Sequence, residues 1–320
     1  MAMTVIVPVD TTDATLTASN VPEDDYPEWD AMDDYIIGDY VISTTTHTIY
    51  RALVANGASS TVVNPDTEAA EFADPTVIDP ATQYWSTINA TNRWQLFDEK
   101  PSVQCSNPTS IDVTITPNAV IDGIGLFRLD AASVQIIMTD PVDGVVYDET
   151  TGLSDNSGID SWYAYYFEPI DELSDVAFLS LPPYASASIR VIISRTGGTA
   201  YCGQLVLGRK RDLGETTTAQ TNFTGVDFST VQQDIFGDLY TVKRASTRLN
   251  KYRVWTNTTR LQAIARIMRE LRGGTAAVWV GTEDERLATL NYGFWRDYRV
   301  DYEDAVAQVA YMTIEVQGIV

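Results

Sequence analysis

The chain has one histidine, His47, in the run Thr44-Thr-Thr-His-Thr48. Acid–base chemistry that uses an imidazole near neutral pH must go through this residue. A triad also needs an activated nucleophile, and no Gly-x-Ser-x-Gly elbow occurs. His47 therefore reads as a surface residue of a Thr-rich hairpin. The two cysteines, Cys105 and Cys202, lie far apart and with one histidine make no zinc signature. With 44 acidic residues, some carboxylates must lie at glycosidase separation by chance, so such a pair carries no information. Asp140-Pro-Val-Asp143-Gly144 and Asp148-Glu149 offer oxygens to a hard cation, but without the EF-hand pattern. An acidic β-turn accounts for them. Gly273-Gly274 is not followed by Lys-Ser or Lys-Thr, so no phosphate loop is expected. The expectation is a protein without catalytic residues, metal or cofactor.

Aromatic residues are more informative. Tyr26, Trp29, Tyr35, Tyr40, Tyr50, Tyr84, Trp85 and Trp94 crowd one short stretch. Flat aromatic faces stack on the C–H faces of sugar rings, and they also fill the core of a small module poor in aliphatics. Trp29, Tyr50, Trp85 and Trp94 are the candidates for glycan contact, with core packing as the alternative for each.

These residues need elements to hold them. Tyr35–Val41 and Thr48–Leu53 read as strands, and residues 56–82, rich in Asn, Asp, Pro and Ala, read as loop. Ile111-Asp-Val113-Thr-Ile115 alternates cleanly, and Val134–Met138, Trp162–Phe167 and Ile189–Ile193 read as further strands between turn signals. This is the pattern of a jelly-roll-like β-sandwich. Its first and last strands would pair, making Cys105 and Cys202 neighbours with reduced sulfurs. Farther on, Tyr240–Arg244, Lys251–Trp255, Thr275–Val280, Tyr292–Tyr302 and Ala310–Val316 read as strands. Leu261, Ile264, Ile267, Met268 and Leu271 share one helical face, with Thr258 or Thr259 as cap and Gly273-Gly274 as stop. The fold class expected is mainly β and multidomain. Residues 1–100 form an extended arm (1–25) and a small aromatic-rich β module. Residues 101–210 form the sandwich, with Gly208–Gly214 as a polar join. Residues 211–320 form an α+β docking domain with one main helix.

Charge follows the same division. The net charge of −23 comes from 17 acids against 3 bases in 1–100, 13 against 3 in 101–208, and 14 against 15 in 209–320. Nucleic acid is excluded as a partner of the acidic part, because binding it requires phosphate neutralisation. The near-neutral third prefers Arg, whose planar fork suits interface pairing. Arg244, Arg260, Arg266, Arg269 and Arg272 are its candidate assembly contacts. No apolar run approaches the ~20 residues that span a bilayer. The start, Met1–Asp10, lacks the basic and apolar regions of a signal peptide.

Tyr26-Pro-Glu-Trp29, Tyr35-Ile-Ile-Gly38-Asp39-Tyr40-Val41, Ile49-Tyr50-Arg51-Ala52-Leu53 and the later Tyr84-Trp85 resemble small chitin-binding-type carbohydrate modules. Thr91-Asn92-Arg93-Trp94-Gln-Leu-Phe97-Asp98 resembles the signature that follows such modules in tailed-phage virion proteins. Phe236-Gly237, Val242-Lys243-Arg244, Val278-Trp279-Val280-Gly281 and Tyr292-Gly293-Phe294 are similar to those proteins too. The resemblance implies a structural component of a phage tail, at the tip or baseplate, made in the host cytoplasm and carried in the virion. Its implied partners are other tail proteins, further copies of itself and a host-surface glycan, with no membrane insertion. Residues 211–320 should then carry most subunit contacts, and 1–100 should be dispensable for incorporation. A soluble carbohydrate-binding adhesin and a glycan hydrolase are the alternatives.

Overall fold

The computed structural model describes residues 2–73, 83–155, 161–167, 171–217, 219–233, 236–282, 289–304 and 309–319. The first part runs β1 (Ala2–Pro8), β2 (Leu16–Ser19), β3 (Asp34–Tyr35), β4 (Tyr40–Ser43), β5 (Thr48–Ala52), β6 (Asn56–Gly57), α1 (Pro65–Ala73) and β7 (Trp85–Ala90). The middle runs β8 (Cys105–Ile115), β9 (Gly123–Phe127), β10 (Ser133–Asp140), β11 (Gly144–Gly152), β12 (Ser154–Asp155), α2 (Trp162–Phe167), β13 (Asp171–Glu172), β14 (Val176–Phe178) and β15 (Ser188–Cys202). The last part runs β16 (Gln204–Thr216), β17 (Asn222–Asp227), β18 (Thr230–Gln233), β19 (Leu239–Val242), β20 (Ser246–Asn257), α3 (Leu261–Glu270), β21 (Ala277–Val280), β22 (Leu290–Asp304) and β23 (Val309–Gly318). The protein is mainly β, with several sheets and one main helix near its C-terminus.

The aromatic module is the three-stranded sheet β4-β5-β7 with the β3–β6 pair and α1. The carboxylate of buried Glu68 on α1 accepts from the backbone N–H of Tyr84 and Trp85 at 2.8 and 2.7 Å, which ties the helix to β7. Part of the segment expected to be loop is thus a helix. The rest of that reading, residues 74–82, lies outside the described residues.

The sandwich packs the sheet β11-β10-β15-β8-β2 against β14, β9 and the first half of β16. Alternation does the work: Val134, Ile136 and Met138 on β10 turn inward against Val113, Ile189, Val191, Leu126 and Leu205. Trp162–Phe167, expected as a strand, forms the short helix α2 instead. Trp162, Tyr163, Tyr166 and Phe167 are all exposed, so no buried sheet face selects the extended form.

Beyond the sandwich the sheet curls into a barrel, which closes because β16 pairs at both ends. The order β16-β1-β21-β22-β23-β20 returns to β16 through Glu215↔Trp255 and Thr216↔Val254. Met3, Val5, Tyr252, Trp279, Met312 and Ile314 fill it, together with Ile264 and Met268 of α3. The polar tips of its two large rings are satisfied inside: Tyr252 Oη donates to Thr289 O at 2.8 Å, and Trp279 Nε1 to Gly293 O at 2.9 Å. Asn257, rather than Thr258 or Thr259, caps the turn that leads into α3, its Oδ1 accepting from Thr259 N at 2.9 Å.

Two expectations change here. Gly208–Gly214 is not a join but the middle of β16, a strand that belongs to both sandwich and barrel. A side chain at Gly208 would strike Val7 O, and Gly214 sits at φ +136°, so glycine permits the close strand approach. Residues 1–25 are not a free arm. β1 pairs with β16 over Ala2–Pro8 and with β21 through Val5↔Trp279, while β2 joins the sandwich through β8. Residues 1–100 are therefore not one separable unit, and removing all of them would take a strand from the barrel.

Candidate functional site

Of the four candidates for glycan contact, Tyr50, Trp85 and Trp94 are buried, so for them the core alternative holds. Tyr50 and Trp85 form the module's core with Tyr35, Val41 and Ala52; Trp29 packs against it. Trp85 meets Tyr35 edge-on at 5.2 Å and donates Nε1–H to Val63 O at 2.9 Å. The reason is volume: with few aliphatic side chains on these short strands, rings must fill the interior. The exposed aromatic ledge is made by other residues. Tyr26 and Tyr40 stack at 5.0 Å, and the Arg51 guanidinium lies 5.8 Å from the Tyr40 ring. In β4, which follows Gly38-Asp39, Tyr40 faces outward while Val41, Ile42 and Ser43 are buried.

A second aromatic surface was missed by sequence reasoning. On α2, Trp162, Tyr163, Tyr166 and Phe167 are 69–79% exposed. They stack as i,i+4 pairs, Trp162 on Tyr166 and Tyr163 on Phe167.

Residues 91–98 join three parts of the chain. The Asn92 side chain donates to Ser106 O and accepts from Ser106 N, both at 2.8 Å, like one rung of a sheet. Asn92 N donates to Asp25 Oδ2 at 2.9 Å, and Arg93 Nε to Val21 O at 2.8 Å. Thr91 N donates to His47 O at 2.8 Å. Trp94 stacks on the His47 ring at 4.1 Å and meets Phe97 edge-on. His47 is not a bare surface residue. Its Nδ1 lies 2.9 Å from Glu23 Oε1 and its Nε2 3.0 Å from Asp13 Oδ2. Glu23 also accepts from the Thr91 hydroxyl at 2.8 Å. With both nitrogens engaged and a ring face covered, His47 works as a fastener between segments.

Nearby, Asp98 has one carboxylate oxygen on Lys100 N at 2.9 Å and the other buried without a hydrogen-bond partner. Burial raises its pKa to about 6. No family model, curated protein or solved structure matches this chain. Cys105 and Cys202 stand directly opposite each other across β8 and β15, both fully buried and both free thiols. Burial pushes Cys202 up to about 12 and Cys105 higher still, which leaves neither as a thiolate nucleophile near neutral pH. Among the described residues, no group of three or more His, Cys, Asp or Glu is arranged to hold a metal ion. No described helix is long and apolar enough to cross a membrane.

The candidate assembly arginines do not form one patch. Arg260 makes a two-nitrogen pair with Asp212 Oδ2 at 3.1 Å, fixing the start of the helix to β16. Arg266, Arg269 and Arg272 lie on the exposed side of the helical segment, and Arg244 is exposed at the base of a hairpin. That hairpin, β18–β19, extends the β17–β20 pair away from the barrel and pairs with no further described strand. It exposes Phe228, Val231, Phe236, Leu239, Tyr240 and Val242 by 45–83%. An isolated two-stranded ribbon is marginal in water, and a concentration of exposed apolar side chains marks a contact surface.

Proposed function

We propose that this chain is a structural, non-catalytic component of a tailed-phage tail, at the tip or baseplate. It docks through its C-terminal barrel and displays aromatic surfaces that take up host-surface glycans. The apolar hairpin of residues 228–245 carries the assembly half of this reading, because it is built to be covered. The resemblance of residues 91–98 to a tailed-phage signature supports a virion as the setting of that assembly. Immunogold electron microscopy of phage particles, with antibody to this chain, tests it. Label at the distal end of the tail is expected. Particles that stay bare, with the antibody proven on purified protein, would remove the virion role.

A second reading, a carbohydrate-binding adhesin without an assembly role, draws on the Tyr26–Tyr40 ledge with Arg51 and on the exposed Trp162, Tyr163, Tyr166 and Phe167 of α2. Pull-down of the chain on insoluble polysaccharides, compared with Tyr26→Ala/Tyr40→Ala and Trp162→Ala/Tyr166→Ala, separates the two surfaces. Turnover of a polysaccharide by the purified chain would end the non-catalytic reading.

A further inference from the structure

We infer that the hairpin of residues 228–245 is a self-association arm, whose apolar side chains are covered by neighbouring copies of this same chain. This rests on the assembly reading above and names the partner of that surface.

Three observations carry it. The first is the distribution of side chains. Partners across an antiparallel pair point the same way, so Tyr240 and Val242 share one face with Gln232 and Thr230. Val231 and Leu239 share the other face with Thr241 and Gln233. Phe228 precedes β18 at the base of the hairpin and Phe236 precedes β19, both exposed. A ribbon made to lie on its own barrel would need one apolar face. This one carries two, so it needs material on both sides, as when arms from adjacent subunits interleave.

The second is area. At their present exposures, the six apolar residues offer on the order of 800 Å² to a partner, which is what one side contributes to a standard-size protein interface.

The third is charge. Residues 1–208 hold 30 acids against 6 bases, so copies brought together through the aromatic module or the sandwich repel each other. Residues 209–320 hold 14 acids against 15 bases, and residues 228–245 hold Asp234 and Asp238 against Lys243 and Arg244. The arm therefore meets its own kind without net repulsion. Contact there also leaves the acidic modules free to splay apart.

The test uses the full chain. Size-exclusion chromatography with light scattering across a dilution series should give a multi-copy species that dissociates on dilution. Phe236→Asp/Tyr240→Asp should move it to a monomer at every concentration. Both side chains are exposed, so the variant should keep its thermal unfolding profile. To guard against local misfolding, Leu239→Asp alone should weaken association in the same direction. A wild-type chain that is monomeric up to its solubility limit would overturn the proposal. So would an oligomer unchanged in both variants. If the wild type is monomeric and the double variant fails to enter particles, the arm docks on a different tail protein, and the assembly reading survives without this one. If the wild type is monomeric and the double variant enters particles normally, both fall.

Discussion

Replacing Asp98 by asparagine should stabilise the protein near neutral pH and do nothing in acid. The folded chain raises this carboxyl from 3.8 to about 6, chiefly by burial. Below the unfolded value both states hold the proton, and burial costs no ionisation. As pH rises from 3.8 to about 6, the unfolded chain ionises first, so folding loses ground. Above about 6 both are ionised and the loss is complete. At about 1.4 kcal/mol per pKa unit, the full span sets a ceiling of about 3 kcal/mol, and partial solvation reduces it. In Asp98→Asn the side-chain amide keeps an oxygen for Lys100 N and carries no charge. The variant should therefore gain about 1–3 kcal/mol near pH ~7.5 and match wild type near pH ~3.5. Urea unfolding followed by tryptophan fluorescence at a series of pH values measures this. The difference between the two proteins isolates Asp98 from the other titrating groups. A pH-independent difference, or a variant less stable than wild type above neutrality, would refute the reasoning.

Other outcomes follow from the same structure. Trp85→Ala should cost about 3–5 kcal/mol in the aromatic module, so any loss of glycan binding would come with a lower melting temperature. Tyr26→Ala/Tyr40→Ala should leave melting unchanged, and a drop of several degrees would assign those rings to structure. Asn92→Ala strips partners from Ser106 and should cost about 1–3 kcal/mol, read as faster proteolysis between the module and the sandwich. Because Asp25 touches Asn92 N, excising residues 27–90 with a short Gly-Ser bridge should leave the sandwich and barrel folded, whereas deleting residues 2–8 should not. Circular dichroism and proteolysis of the two deletions decide between them. Cys105 and Cys202 should resist thiol reagents in the native protein and react after denaturation; rapid native labelling of either would contradict their burial.

The local grammar was legible. Period-two alternation located β8, apolar runs between turn signals located β10 and β15, and helical spacing with Gly273-Gly274 located α3, because each depends on residues close in sequence. The opposition of Cys105 and Cys202 followed from the expected pairing of sandwich strands. What failed was long-range. Nothing in Ala2–Pro8 says that its neighbours will be β16 and β21. The basic run Arg209-Lys-Arg211 reads as solvated polymer because only the surrounding strands make it a strand. Aromatic roles were illegible for another reason. Trp85 and Tyr40 have similar chemistry, and which of them faces water depends on the side of the sheet each occupies. His47 looked exposed because Asp13 and Glu23, which hold it, come from a distant part of the chain.

The position of β1 between β16 and β21 also sets a timetable. A ribosome makes residues 2–8 long before their partners near 278–280, with some 270 residues in between. Until β16 emerges the backbone groups of this strand have no ladder to join, and until β21 follows its second edge stays open, so the nascent chain carries a sticky, incompletely paired strand. The sandwich can assemble as its own strands appear, but the barrel must wait for both ends. Crowded translation should therefore favour mispairing of this strand between chains, and a chaperone that shields this apolar strand would raise the yield of folded protein.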